Sequence, residues 1–534
     1  MKMEFRYKIS KKIVTIALLG VIMLCSSFLI HFYDPLQMII RQLLDLAPGT
    51  ILYGLWKAPP YDLVMKLYIF NVTNAEEFLS GKEKLNVTEV GPYGYKEILT
   101  HNNVSFSADG TVSYNPKRVF TSDPTHSVGD PLLDRITVPN IPLLGIQAYL
   151  TDSSFITNMG FSALAASLGS NSILNLTVDE FMWGYEDKLV TMANQFLPNW
   201  IDFGKFGLLE RLMSRDNVNR ITVSVDPTKA TSKYDNLLTQ EEITAPYHIV
   251  RWNGSPGLKE WGFNNETMQT NKKCELIEGA FDGTIFPRKM RRNRTITVFR
   301  KAFCRPVPFH FVGDSLSHEG FVSYDFKMKK NVFGTPEENP YNECYCFKGT
   351  CPGKGLQTIA PCYYDMPIIL SEPHFLNVDP EIRNSVNGMN PDEKIHASLY
   401  RIQPDLGVPL AGSALRVQVN LGMGQTRYNS KTRQFNNMTV PLFWIELSFD
   451  ELPGMISFLL RLVLVVLPVG QTILIYLLGI IGFAMVSGAA LLTLFFNKIM
   501  VPRSLSIASE YTALPAVIVA SQYFKPDVRI SKSS

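Results

Sequence analysis

Apolar residues are distributed along this chain in three ways. From Ile13 to Phe32 they form an uncharged run of 20 residues, which at about 1.5 Å per residue crosses a hydrocarbon layer of about 30 Å. From Leu462 to Phe496 they form a second uncharged run, of 35 residues, longer than one crossing needs. Pro468, Gly470, Gln471 and Thr472 predict a break, leaving residues 473–496 as a second span and residues 452–467 as a membrane-proximal helix. Between the runs the pattern is that of a folded domain. Leu63, Met65, Leu67 and Ile69 alternate with the opposite face of one strand, and Leu415, Val417 and Val419 alternate with Arg416, Gln418 and Asn420 on another. Asp34-Pro35 reads as a helix start, with Leu36, Ile39, Ile40, Leu43 and Leu44 at helical spacing until Pro48-Gly49. Residues 148–212 are turn-poor and rich in Ala, Leu and Met, which predicts a helical insert in a strand-dominated body.

Charge then sets the topology. Residues 1–12 carry Lys2, Arg6, Lys8, Lys11 and Lys12 against Glu4, and residues 497–534 are also net basic, so both tails face the cytosol. The alternative for the first run is a cleaved signal peptide, but the run exceeds the usual 7–15 residues or so and continues past Cys25-Ser26-Ser27. The intervening residues 33–472 therefore form an ectodomain. Sequons at Asn71, Asn86, Asn103, Asn175, Asn253, Asn265, Asn293 and Asn437 all fall within it, as do Cys274, Cys304, Cys344, Cys346, Cys351 and Cys362, an even set suited to disulfides in an oxidising compartment. The spacing of these cysteines does not match a zinc knuckle, and no metal cage or cofactor is expected. With 534 residues and a net charge of +3, the chain lacks the basic, aromatic-interleaved stripe that nucleic acid would require.

The motifs that suggest chemistry are isolated. Gly313-Asp314-Ser315-Leu316 follows an apolar run as in one class of lipid esterases, but its D-x-x-H partner, Asp123 to His126, lies far upstream of the serine rather than after it. The bland reading, a polar turn after a strand, is preferred, and no enzyme is expected. Arg288, Lys289, Arg291, Arg292 and Arg294 form a candidate anion patch that also reads as a solvated loop. Tyr511 and Leu514 have the spacing read by clathrin adaptors, and Ala484 with Gly488 is a small-x3-small pair compatible with a homo-oligomer.

An ordered series of segments completes the reading: Tyr68 to Asn74, Gly91-Pro92-Tyr93-Gly94-Tyr95, Glu180 with Trp183-Gly184-Tyr185, Pro373-His374-Phe375, Gly388 to Pro391, and Val440 to Trp444. With two spans and a glycosylated loop, this series resembles the class B scavenger receptors. The resemblance implies an α+β membrane protein: two transmembrane helices flanking an ectodomain with an antiparallel β-barrel core, an apical helical bundle at residues 148–212, and an apolar tunnel leading to the outer leaflet. It also implies the disulfides Cys274–Cys344, Cys304–Cys362 and Cys346–Cys351.

The function expected is that of a lipid-binding receptor of plasma, endosomal or lysosomal membranes. It would take lipids or lipoprotein-like particles at Phe155, Met159, Phe161 and Leu164 and transfer fatty acid, sterol, carotenoid or phospholipid to the membrane. Some members of the family carry apical lysines, whereas residues 155–174 here contain no charge. A sorting receptor for protein cargo is the nearest alternative. A two-span ligand-gated channel is more distant, because the spans lack acidic pore-lining residues.

Overall fold

A computed structural model describes residues 2–505 apart from 197, 199, 200, 214, 215, 227, 230 and 428. Tyr511 and Leu514 lie outside the described residues. The chain divides into two compact units: Gln42–Leu459, and the residues up to Arg41 together with those from Leu460 onward.

The larger unit is built around one sheet. Its hydrogen-bonded path runs from Ile249–Trp252 through Ile221–Ser224, Thr111–Asp123, Leu85–Phe106, Leu63–Val72 and Thr439–Phe449, then Ser413–Gly422, Leu399–Gln403, Val322–Met328 and Arg305–Leu316 to Thr295–Arg300. Neighbours on this path pair antiparallel. The two edges are joined by residues 279–281. Ile249 N donates to Ala280 O at 2.6 Å and Gly279 N to Ile249 O at 3.1 Å, while Phe281 N donates to Thr297 O at 2.7 Å and Phe299 N to Phe281 O at 2.8 Å. Those four peptide hydrogen bonds close the sheet into a barrel.

The core follows the alternation read from the sequence only in the middle of strand Leu63–Val72, where Met65, Leu67 and Ile69 are buried; Leu63 is half-buried, and Val64 and Phe70 of the opposite face are buried as well. Strand Ser413–Gly422 departs from it. Val417 and Val419 are buried, but so are Gln418 and Asn420 on the other face, where Ser371 of the neighbouring strand Ile368–Ser371 and the turn Pro373–Phe375 that follows it meet them. Asn420 Nδ2 donates to Ser371 Oγ at 3.0 Å, and Gln418 Oε1 accepts from His374 N at 2.7 Å, which meets the cost of burying two amides. The GDSL segment also differs from expectation. It lies inside strand Arg305–Leu316, with Ser315 facing Ser323 of the next strand.

The region expected to be helical begins earlier, at Ile141–Tyr149, and continues with Phe155–Ser167, Val178–Trp183, Lys188–Phe196 and Leu208–Met213. Strand Ile173–Thr177 interrupts it by pairing with Arg135–Pro139, a partner supplied from outside the segment.

In the smaller unit the N-terminal helix Lys2–Tyr33 packs against the C-terminal one. No break occurs at Pro468: Gly454–Arg461, a π-helical turn at Leu462–Val466 and Leu467–Leu505 follow without a gap. The widened turn just before the proline relieves the clash its ring would cause in a regular α-helix. The two helices meet at glycines. A Cβ on Gly20 would lie 2.9 Å from Gly482 O, and one on Gly482 would lie 2.8 Å from Gly20 O, so only glycine allows this approach. Ser27 Oγ donates to Ile475 O at 2.8 Å, and Gln471 Nε2 donates to Asp34 Oδ1 at 3.0 Å. Ala484, by contrast, is exposed, and the space beside Gly488 is open.

Candidate functional site

Two assemblies of side chains in the larger unit are candidates, and they differ in kind. The first is a surface helix. Ser154 starts Phe155–Ser167 by accepting from Thr157 N at 3.2 Å, and Gly169, at φ +68°, ends it. One face carries Phe161 and Ala165, which pack with Leu143 and Leu189 of neighbouring helices. Asn158 pins the same face: Gln147 Nε2 donates to its Oδ1 at 2.9 Å, and Gln147 Oε1 accepts from Asn429 Nδ2 at 2.9 Å. The opposite face is apolar and exposed, with Phe155 62% exposed, Ile156 82% and Met159 48%. Of the four residues expected to meet lipid, Phe155 and Met159 therefore face outward, Leu164 is half-buried and Phe161 is 9% exposed. Sequence reasoning missed Ile156. The signal was its place one residue after Phe155 at the helix start, away from the Leu-and-Ala face.

The second assembly gathers the motif residues. Glu89, on strand Leu85–Phe106, accepts from Trp444 Nε1 at 2.6 Å and lies 2.6 Å from His374 Nε2. Asn390 N donates to His374 Nδ1 at 3.1 Å, so the His374 proton sits on Nε2 and points at Glu89. His396 stacks on His374 with centroids 4.5 Å apart, and Tyr68 stacks on Trp444 at 3.9 Å. Burial alone would raise the Glu89 carboxyl, but the hydrogen bonds from His374 and Trp444 outweigh it and hold the group below the ordinary carboxylate value. Burial, with the neighbouring His374, lowers His396 to about 4. Burial raises nearby Glu372 to about 7. Gly91 of the same motif set has φ +143°, and a Cβ there would lie 2.6 Å from Leu67 O, which is why glycine stands before Pro92. The cluster joins four stretches of chain that are distant in sequence. It clamps the barrel wall and presents no nucleophile.

The remaining sequence candidates are dispersed. Ser315 Oγ bonds Ser323 Oγ and Asp325 Oδ1, each at 2.7 Å, while His126 pairs with Asp123 at 2.7 Å and lies 3.4 Å from Asp450. The serine and histidine of the esterase reading are thus tied to different partners. The basic run is largely neutralised within the fold. Arg288 pairs with Asp45 at 2.8 Å, Arg292 with Asp314 at 2.9 Å and Arg294 with Glu241 at 3.6 Å. Among the described residues, Lys289 and Arg291 are exposed without an ion-pair partner.

The six outer cysteines are joined as Cys274–Cys344, Cys304–Cys362 and Cys346–Cys351. Six sequon asparagines are exposed: Asn103, Asn175, Asn253, Asn265, Asn293 and Asn437. Asn71 and Asn86 are half-buried, with Asn71 Oδ1 accepting from Thr137 N at 2.7 Å and Asn86 Oδ1 from Asn387 Nδ2 at 2.6 Å.

Comparison with known proteins bears on the whole assembly. Scavenger receptor class B member 1 of Cricetulus griseus is 30% identical over 75% of this chain and 73% of its own length. The Rattus norvegicus protein of the same name is 28% identical over the same shares. Lysosome membrane protein 2 of Homo sapiens is 28% identical over 78% of this chain and 80% of its own. Residues 14–493, from the start of the first apolar helix to near the end of the second, match the profile of the CD36 family. Two apolar helices long enough to span a bilayer, three disulfides, an antiparallel sheet-rich ectodomain and these relatives agree, and the chain belongs to the CD36 family as a two-span membrane receptor.

Proposed function

We propose that this receptor takes up lipid, or lipid from lipoprotein-like particles, at the exposed apolar face of helix Phe155–Ser167 and passes it through the ectodomain to the membrane without chemistry. The observation that carries the reading is the outward face of Phe155, Ile156 and Met159 on a helix free of charge. Covering apolar surface is favourable by about 25 cal/mol per Å², so such a face holds acyl chains and sterols better than anionic groups. In this reading residues 148–212 form the apex, and residues 13–32 and 473–496 are the spans. The segments 1–12 and 497–534 are cytosolic tails, and Tyr511 with Leu514 recruits clathrin adaptors. Membranes of the cell surface and of endosomes or lysosomes are the sites of action, in keeping with the names of the two relatives.

The test is cross-linking of a photoreactive sterol or fatty acid to the full-length receptor in cells, paired with uptake of the intact lipid. Labelling is expected in the ectodomain, with saturable uptake that Ile156→Asp reduces several-fold at unchanged surface level. Normal uptake by Ile156→Asp, or uptake without any ectodomain cross-link, overturns the reading. Loss of a bound protein instead of lipid in Ile156→Asp would replace it with a sorting receptor.

A further inference from the structure

The two spanning helices differ in apolar length, and their contacts fix where the excess lies. The first covers 23 residues, Lys11–Tyr33, whereas the apolar stretch of the second covers 42, Gly454–Phe495. At about 1.5 Å per residue the first fits a hydrocarbon layer of about 30 Å and the second is roughly twice too long. Gly20 meets Gly482, Ser27 bonds Ile475 and Asp34 bonds Gln471, so the register is fixed at three points. Asp34 is a carboxylate at the outer end of the first span, and it places the outer hydrocarbon boundary level with Gln471.

Residues 462–470 therefore stand above that boundary, and they are entirely aliphatic apart from Pro468 and Gly470. Val465, Val466 and Val469 are 49%, 54% and 52% exposed, and the lipid-facing side of the span continues directly below them through Ile473, Leu477 and Ile480. At the top stands Arg461, exposed and, among the described residues, without an ion-pair partner. It lies ten residues above Gln471, about 12–15 Å, whereas the headgroup layer on one side of a bilayer is only about 5–7 Å deep. A row of bare aliphatic side chains ending in a lone guanidinium matches one occupant, a phospholipid with its acyl chain along the valines and its phosphate at the arginine. The π-helical turn Leu462–Val466 lies within this row and brings residues five apart, such as Arg461 and Val466, close to one line.

We propose that Arg461, Val465, Val466 and Val469 form a site for an outer-leaflet phospholipid raised above the plane of its neighbours. This inference rests on the two-span topology and is independent of lipid transfer through the ectodomain.

The experiment uses the full-length receptor in nanodiscs of phosphatidylcholine, with Cys25→Ser removing the free thiol and an environment-sensitive fluorophore attached at Val466→Cys or, separately, Val469→Cys. Phospholipid brominated on its acyl chain is expected to quench both positions to at least half the extent seen at the mid-span control Ile480→Cys. Arg461→Gln is expected to lower quenching at Val466 at least twofold while leaving Ile480 unchanged. Quenching by aqueous iodide equal to that at the exposed Glu337→Cys, with none by bromolipid, overturns the proposal. So does energy transfer between labelled copies in place of bromolipid quenching. Bromolipid quenching indifferent to Arg461→Gln overturns the phosphate site.

Discussion

The clamp around Glu89 and the exposed apolar face of Phe155–Ser167 differ in the use of side chains. In the clamp Glu89, His374, Trp444 and the backbone of Asn390 each have a partner within about 3 Å, and four of the six motif segments contribute a residue there: Tyr68, His374, Asn390 and Trp444. On the helix Ile156 and Met159 carry no motif and are exposed. The recurrent segments of the sequence thus mark what holds the barrel together. The face proposed to meet lipid is distinguished instead by exposed apolar side chains and the absence of charge.

Substitutions that unsettle the barrel body sharpen this contrast most. Cys304–Cys362 closes a loop of 58 residues and Cys346–Cys351 one of 5, so loop entropy assigns about 4 kcal/mol to the first and about 2 to the second. Cys304→Ser is expected to abolish surface expression, and Cys346→Ser to leave a measurable fraction, read by flow cytometry of intact cells.

Next is Glu372, whose value of about 7 when folded lies above its ordinary 4.5. Folding therefore retains a proton, and the penalty is absent below about pH 4.5 and complete above about pH 7, of order 3 kcal/mol. Glu372→Gln should raise the denaturant midpoint at pH 7.4 and change it little at pH 4.5. Equal gains at both values would show that the effect is not titration.

Glu89→Ala leaves His374 and Trp444 without their acceptor and should cost about 2 kcal/mol. Because the folded Glu89 value is lowered, the ionic part of its contribution is present above the ordinary carboxylate range and is lost as pH falls through the folded value. The difference between wild type and Glu89→Ala should shrink as the solution is acidified, in thermal unfolding series. The smallest stability effect is expected from Ile156→Asp, within about 0.5 kcal/mol, whereas Phe161→Asp on the packed face of the same helix should fail to fold. If the two behaved alike in expression, the division of that helix into a packed and an exposed face would be wrong.

Legibility from sequence followed the range of the interactions. Uncharged runs and period-two alternation are local, and they located the helices at the two ends and strand Leu63–Val72. The helix break expected at Pro468 did not materialise, because the π-helical turn accommodates the ring, and no residue pattern encodes that turn. Gln418 and Asn420 read as a solvent face because their partners, His374 and Ser371, are distant in sequence. The basic run read as a patch because Asp45, Asp314 and Glu241, which neutralise three of its members, lie far from it in sequence. Resemblance, not spacing, singled out one disulfide pairing among the many that six cysteines permit. In the candidate surface the chemical type of residues 155–164 was legible, but the side of the helix each would occupy was not, since Phe161 and Ile156 are equally apolar.

The barrel closes through residues 279–281 with four peptide hydrogen bonds, and Leu399–Gln403 meets Ser413–Gly422 at the single pair Leu399 and Ala414, whereas the walls around Leu85–Phe106 and Thr439–Phe449 are long ladders. In mechanical terms the wall is a hoop fastened by a clasp. A strain that widens its girth concentrates at these short seams, at Ile249, Phe281 and Phe299 and at Leu399 beside Ala414, before it reaches the long ladders. Under the proposed passage of lipid, such a hoop widens at its short seams and recovers its girth afterwards, with the register of the long ladders kept intact.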